Sequence, residues 1–235
     1  MAVRVVGFDG DDTLWHSETR FQVTQGNYRD LLSRHVPDAD IAARLATTEM
    51  RNLSIYGYGV KSFTLSMLET AIELTEARIP AADLEVILGW GKRMLMEPTE
   101  LLDQVEQTLM AIAPRYDLLL ITKGDLFDQE SKLARSGLAE LFLGVEIVSE
   151  KDADTYRSIL KRRGIAPEEF VMVGNSLRSD VVPVVTLGGQ AVHIPYEVTW
   201  HHEHVPDEDL PHQGWRRIAA IGELPAVLED LHFTG

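Results

Sequence analysis

Residues 7–14 read Gly7-Phe8-Asp9-Gly10-Asp11-Asp12-Thr13-Leu14, and they follow the apolar run Val3, Val5, Val6. The run reads as a buried strand over Val3–Phe8, so two carboxylates spaced by two positions stand where that strand ends. In an open α/β sheet, ligands bind just beyond the carboxyl ends of the strands. Unpaired buried charge is costly, so three acids at a buried strand end call for a cation among them. The plainer alternative is an acidic turn that merely closes the strand. The rest of the chain decides between them.

The pattern changes after this strand. Phe21, Tyr28, Leu31 and Leu32 recur at helical spacing, as do Phe63, Met67, Ala71 and Leu74. Val36-Pro37-Asp38 breaks the first of these helices, and the glycines and tyrosines of Ile55–Gly59 mark a loop. A further helix opens at Ile79-Pro80 and ends near Met96, and Glu97-Pro98-Thr99 leads out. From Tyr116 onward the chain alternates. Strands are expected at Asp117–Thr122, Val145–Ser149, Phe170–Gly174 and Gln190–Ile194, and helices at Leu126–Ser136, Thr155–Arg163, Ser179–Leu187 and Leu224–Leu231. Alternation of this kind implies an α/β fold with a doubly wound parallel sheet. The expected division is a Rossmann-like core over 1–15 and 98–235, with an α-helical cap over 16–97 inserted after the first strand.

Composition narrows the function. The 235 residues suit one domain or a core with an insert. No stretch approaches the ~18 apolar residues of a membrane span, and the N-terminus reaches its first strand without a basic leader. The absence of cysteine removes disulfide and thiolate chemistry and fits a reducing cytoplasm. Thirty-seven acids against 22 bases give a formal net charge of −15. A field of that sign disfavours nucleic acid and anionic membrane as partners. A site for an anionic substrate must therefore make its own positive charge, from a metal, lysines or helix N-termini.

Four places carry chemistry, each at or just beyond the C-terminal end of an expected strand: Asp9 with Asp11; Thr122-Lys123-Gly124; Lys151; and Gly174-Asn175 with Asp180 five residues on. All would converge on one sheet edge. Acids, a hydroxyl and a lysine gathered there suit phosphoryl transfer. One carboxylate can attack phosphorus, and a second can protonate the leaving oxygen and later activate water. Mg²⁺ takes hard oxygen ligands and offsets phosphate charge. The hydroxyl and lysine hold the phosphoryl oxygens as charge develops.

With these residues in order, the chain resembles the haloacid dehalogenase-like hydrolases in their phosphatase branch, over its whole length. Asp9-Gly10-Asp11-Asp12-Thr13 resembles the family's first motif, Thr122 its second, Lys151 its third, and Gly174-Asn175 with Asp180 its fourth. The helical insert between the first two motifs also matches in place and length. The resemblance implies Asp9 as nucleophile, Asp11 as general acid/base, and Thr122 and Lys151 as phosphoryl-binding and charge-balancing groups. It implies Mg²⁺ held by the Asp9 carboxylate, the Asp11 backbone oxygen and the fourth motif. Two departures stand out. Asn175 occupies a position where the family commonly has Asp, which leaves open whether Asn175 or Asp180 is the direct ligand. Asp152 follows the third-motif lysine where Pro is common, and it suits a helix cap. Retention of Asp11 favours phosphate esters over haloacids, because a halide leaving group needs no proton.

The expected reaction is Mg²⁺-dependent hydrolysis of a small phosphorylated metabolite, with phosphoglycolate, sugar phosphates and nucleotides all open. A haloacid dehalogenase using Asp9, or a non-catalytic binding protein of the same fold, are the alternatives. Lys123 is a candidate hydrogen-bond donor to the phosphate through its backbone N–H. Lys61, beside the loop Tyr56–Gly59, is a candidate substrate contact, weighed against a solvated surface lysine. Trp15 and His16 stand at the expected hinge into the cap. The stretch 193–212 holds His193, His201, His202, His204 and His212 among acids. Its prolines favour an irregular surface or intersubunit loop over a zinc site.

Overall fold

The structure is a computed structural model that describes residues 2–197 and 205–233. It contains a six-stranded, all-parallel sheet in the order β3-β2-β1-β4-β5-β6. The strands are β1 (Val5–Phe8), β2 (Asp117–Lys123), β3 (Gly144–Val148), β4 (Phe170–Gly174), β5 (Gln190–His193) and β6 (Trp215–Arg217). The helices are α1 (Glu18–Leu32), α2 (Ile41–Tyr56), α3 (Val60–Leu74), α4 (Ala81–Met96), α5 (Val105–Ile112), α6 (Leu126–Ser136), α7 (Ala153–Arg163), α8 (Val182–Thr186) and α9 (Leu224–Phe233).

Period-two alternation sorts the strand residues onto two buried faces. Val6, Phe8, Leu118, Leu120, Val171, Val173 and Val192 pack with residues of α5 and α9. Val5, Leu119, Ile121, Phe170 and Met172 pack with Tyr156, Ile159 and Leu160 of α7 and Val184 of α8. Helices thus cover both faces, as a doubly wound parallel sheet requires. Gly7 makes room in the middle of β1, since a Cβ there would lie 2.6 Å from the Phe170 ring.

The chain divides into two units: residues 1–18, 99–123 and 129–235, and residues 19–98 with 124–128. The second unit is helical. Its own core is built from Tyr28, Leu31 and Leu32 of α1, Ile41 and Leu45 of α2, Phe63, Met67 and Ala71 of α3, and Ile87 and Met94 of α4. Asp40 caps α2 by accepting the Ala43 N–H at 3.0 Å. The buried Tyr28 hydroxyl donates to the Met67 carbonyl at 2.8 Å.

Three elements were not expected from the sequence, α2, α5 and β6, and α2 runs through Ile55 and Tyr56, where a loop was expected. The helix expected at Ser179–Leu187 is instead a wide π turn over Leu177–Val181 followed by the short α8. Pro183 carries no N–H and cannot continue an unbroken α-helical ladder through this segment. Among the described residues, no helix is long and apolar enough to cross a membrane.

Candidate active site

The first strand delivers Asp9 to the sheet edge. The Asp9 N–H donates to the Val173 carbonyl at 2.9 Å, which carries the β1–β4 ladder one residue past Phe8. The chain then folds tightly over residues 10–15. The Gly10 carbonyl accepts N–H bonds from Thr13, Leu14 and Trp15, and the Asp12 N–H donates to the Trp15 carbonyl at 2.7 Å. Gly10 is needed because a Cβ would lie 2.7 Å from the Trp15 ring and 3.3 Å from the Thr122 hydroxyl. Asp12 takes the left-handed conformation at φ 61°, which Asp tolerates better than most residues. Its carboxylate accepts the N–H groups of Ser17 and Glu18 at 2.8 and 3.0 Å and closes the start of α1. Burial first, and then the Asp11 charge, push its carboxyl up to about 7.

Lys151 stands at the centre of the constellation. Its ammonium lies 2.5 Å from Asp9 Oδ1 and 2.7 Å from Asp180 Oδ1, with only 1% of the lysine side chain exposed. Asp152, the next residue, caps α7 by accepting the Thr155 N–H at 2.8 Å, which fixes the chain as it leaves Lys151. Asp180 reaches inward from the π turn, and its second oxygen accepts the Ser176 N–H at 3.0 Å. Gly174 leaves the space for it, because a Cβ there would fall on the Asp180 carboxyl. Burial pushes Asp9 up to about 7, with Asp180 adding to the effect and Lys151 opposing it. Lys151 is itself pushed up to about 12, because the two carboxylates outweigh the cost of its burial.

On the other side of Asp9, one hydroxyl serves two acceptors. Thr13 Oγ1 lies 3.4 Å from Asp9 Oδ2 and 3.4 Å from Asn175 Oδ1. A hydroxyl has one proton and can satisfy only one of them at a time. Asp9 Oδ2 and Asn175 Oδ1 are therefore hard oxygens with acceptor capacity to spare, the donor chemistry that Mg²⁺ uses. Asp180 is differently placed, with both oxygens already engaged. Among the described residues, no group of three His, Cys, Asp or Glu side chains is gathered as a ready metal cluster. The oxygen set beside Thr13 mixes a carboxylate with an amide, so it is not a cluster of that kind.

Thr122, the penultimate residue of β2, is buried, with its hydroxyl 3.3 Å from the Lys123 carbonyl. Lys123 directs its ammonium to Ser179 Oγ at 2.9 Å and toward Glu150 at 3.5 Å. Lys61 belongs to the helical unit, where it pairs with Asp125 at 2.8 Å. His193 is buried and donates from Nε2 to the Asn175 carbonyl at 3.0 Å, and burial holds its imidazole below the usual value. His212 is exposed, while His201, His202, Glu203 and His204 lie outside the described residues.

Asp11 has company that the sequence did not announce. Its Oδ1 accepts the Trp15 indole N–H at 2.7 Å and the Lys132 ammonium at 2.8 Å. Its Oδ2 accepts Gln129 Nε2 at 2.8 Å and Lys132 again at 3.1 Å. Burial works to raise the Asp11 carboxyl, but the Lys132 charge and the donors from Lys132, Gln129 and Trp15 outweigh it and hold it below the usual range. Gln129 and Lys132 sit three residues apart on α6 and so share a face. That spacing was the available signal.

An acid-bearing loop after β1, a threonine near the end of β2, a lysine before α7 and an acid after β4 all meet at one edge. The model of the haloacid dehalogenase-like hydrolases matches residues 3–182. The chain belongs to that family. A haloacid dehalogenase-like family hydrolase from Xanthomonas campestris is 43% identical, with a TM-score of 0.89 over 99% of this chain and 93% of that one. Two more distant structures share the fold. A HAD phosphatase from Thermococcus onnurineus is 20% identical, with a TM-score of 0.61 over 96% of this chain and 98% of that one. A 2-haloacid dehalogenase from Pseudomonas syringae pv. Tomato DC3000 is 21% identical, with a TM-score of 0.63 over 97% of this chain and 99% of that one. Among curated proteins, none matches the chain. The chain is thus a haloacid dehalogenase-like hydrolase, in a family that holds both phosphatases and dehalogenases.

Proposed function

We propose that this hydrolase is a cytoplasmic, Mg²⁺-dependent phosphatase acting on a small phosphomonoester. The observation that carries the reading is the second carboxylate, Asp11, on the same loop as Asp9. An alkoxide leaving group needs a proton and a halide does not.

In this reading an Asp9 carboxylate oxygen forms a bond to phosphorus while the bond to the leaving oxygen breaks. Asp11 takes up a proton from solvent as substrate binds and gives it to the leaving oxygen. Water then attacks the aspartyl-phosphate as Asp11 removes its proton, which restores Asp9 and frees phosphate. Thr122 and the Lys123 backbone N–H hold phosphoryl oxygens. Lys151 balances charge from behind Asp9, with Asp180 keeping its ammonium in place. Asp9 Oδ2, the Asp11 backbone oxygen and Asn175 Oδ1 are the oxygens that would hold Mg²⁺, and Asp180 acts on the site through Lys151. The cation, when bound, offsets the phosphate charge and favours the ionised form of Asp9. The helical unit, including Lys61, selects the substrate.

A second reading has one observation in its favour. Asp11 is held as a carboxylate by three side chains, an arrangement that also suits a leaving group needing no proton. Haloacid dehalogenation at Asp9 is that reaction. The deciding experiment offers the purified protein a panel of phosphorylated metabolites and a panel of 2-haloacids, each with Mg²⁺ or with excess chelator. Phosphate release that chelation abolishes supports the first reading. Halide release indifferent to chelation establishes the second.

A further inference from the structure

The Asp11 carboxylate makes four hydrogen-bond contacts, two to each oxygen. A carboxylate has about four lone-pair sites, so this one is saturated. To reach a leaving oxygen or a water, Asp11 must surrender one of these donors. The donors differ in how readily they can leave. Trp15 is fully buried in the core, with its indole N–H at 2.7 Å. Gln129 is 2% exposed, and the same Nε2 also donates to the Lys123 carbonyl at 3.0 Å, so it is fixed at two points. Lys132 reaches Asp11 at the end of a flexible four-carbon stem, with 12% of its side chain exposed. It supplies two of the four contacts.

We propose that Lys132 is a positioning residue, the releasable member of a clamp that decides when Asp11 is available to the reaction. Trp15 and Gln129 fix where the carboxylate sits, and Lys132 fills its remaining acceptor sites until it lets go. The proposal rests on the reading of Asp11 as acid/base, and the consequence is selective. Reactions that need Asp11 must displace Lys132, whereas those that do not need it proceed past the closed clamp.

The test uses Lys132→Met, which keeps the apolar stem and removes the donor, and Lys132→Arg, which keeps donors for both oxygens. Lys132→Gln, with a neutral amide in place of the ammonium, stands in if the Met variant does not fold. The first readout is the Trp15 indole N–H resonance in ¹⁵N-labelled protein, assigned by Trp15→Phe. It requires no turnover. It should shift in Lys132→Met and stay near its wild-type position in Lys132→Arg. The second is single-turnover phosphate-ester cleavage with Mg²⁺, comparing ethyl phosphate with nitrophenyl phosphate. Lys132→Met should raise the ethyl-to-nitrophenyl rate ratio by about tenfold, the weight of one charge-assisted hydrogen bond, and Lys132→Arg should not. An unmoved indole resonance in Lys132→Met overturns the proposal. So does an unchanged ratio, which would make Lys132 merely structural, or a lowered one, which would make it a direct helper of the leaving group. If the wild-type protein cleaves neither ester, the phosphatase reading falls, and the indole resonance still decides whether the clamp exists.

Discussion

Replacing Lys151 with Met removes the ammonium that joins Asp9 to Asp180 and leaves two carboxylates facing each other in a buried site. The distances of 2.5 and 2.7 Å, with side-chain exposures of 11% for Asp9 and 1% for Asp180, place this in the class of broken buried ion pairs. Removing one partner of such a pair costs about 3–5 kcal/mol. For a chain of this size each kcal/mol lowers Tm by about 2–4 °C, so the midpoint should fall by roughly 6–20 °C. The loss should also depend on pH. The Asp9 carboxyl is already pushed up to about 7 by burial, against the pull of Lys151, and it should rise further when that pull is gone. A carboxyl raised above its unfolded value stabilises the folded state at acid pH, and that stability is lost as pH rises through the folded value. The deficit should therefore be largest near about pH 8 and shrink toward about pH 5. Urea unfolding at both pH values, on the wild type, Lys151→Met and the triple variant with Asp9→Asn and Asp180→Asn, checks this. The triple variant should recover most of the loss, because neutral amides do not repel. A loss under about 1 kcal/mol at the higher pH, or a triple variant no better than the single, would refute the reasoning.

Three further outcomes follow from the same structure. Gly174→Ala should displace the Asp180 carboxyl and lower both Tm and turnover, whereas Gly26→Ala in α1, where a Cβ meets nothing within 4 Å, should raise Tm slightly; thermal melts of the two variants should move in opposite directions. Burial pushes Glu49 of α2 from 4.5 up to about 7, so stability should fall as pH rises across that window, by at most ~3 kcal/mol, and Glu49→Gln should flatten the slope in a pH series of urea titrations. Asp11→Asn should slow single-turnover cleavage of ethyl phosphate by ~10²–10⁴-fold and that of nitrophenyl phosphate much less, because nitrophenolate leaves without a proton.

Much of the sheet could be read from the chain because each central strand is a short apolar run closed by polar residues of definite chemistry. Asp9, Thr122 and Gly174 stand at or just past the ends of β1, β2 and β4, and Lys151 just precedes α7. Their meeting follows from parallel topology alone. The Trp-Arg-Arg segment of β6 escaped because it has three residues and two are exposed, which leaves no alternation to detect. The π turn escaped because Ser179–Leu187 has helical composition, and the effect of Pro183 is felt one turn earlier than a simple helix break suggests. The partners of Asp11 were the largest omission. Gln129 and Lys132 lie within the helix expected at Leu126–Ser136 but drew no notice, because only the packing of α6 turns their shared face onto the β1 loop. Asn175 was legible as a departure from the family pattern, but its relation to Thr13 and Asp9 Oδ2 depends on distances that no spacing rule supplies.

The central claim is that Asp9 carries the phosphoryl group between substrate and water. The most direct measurement mixes enzyme with a phosphomonoester and Mg²⁺, quenches in acid within a turnover, reduces with borohydride and maps the modified residue by peptide mass spectrometry. Reduction to homoserine is expected at position 9, present in the wild type and absent when substrate is omitted. Phosphate release at full rate with position 9 unmodified, or undiminished turnover by Asp9→Asn, would contradict it.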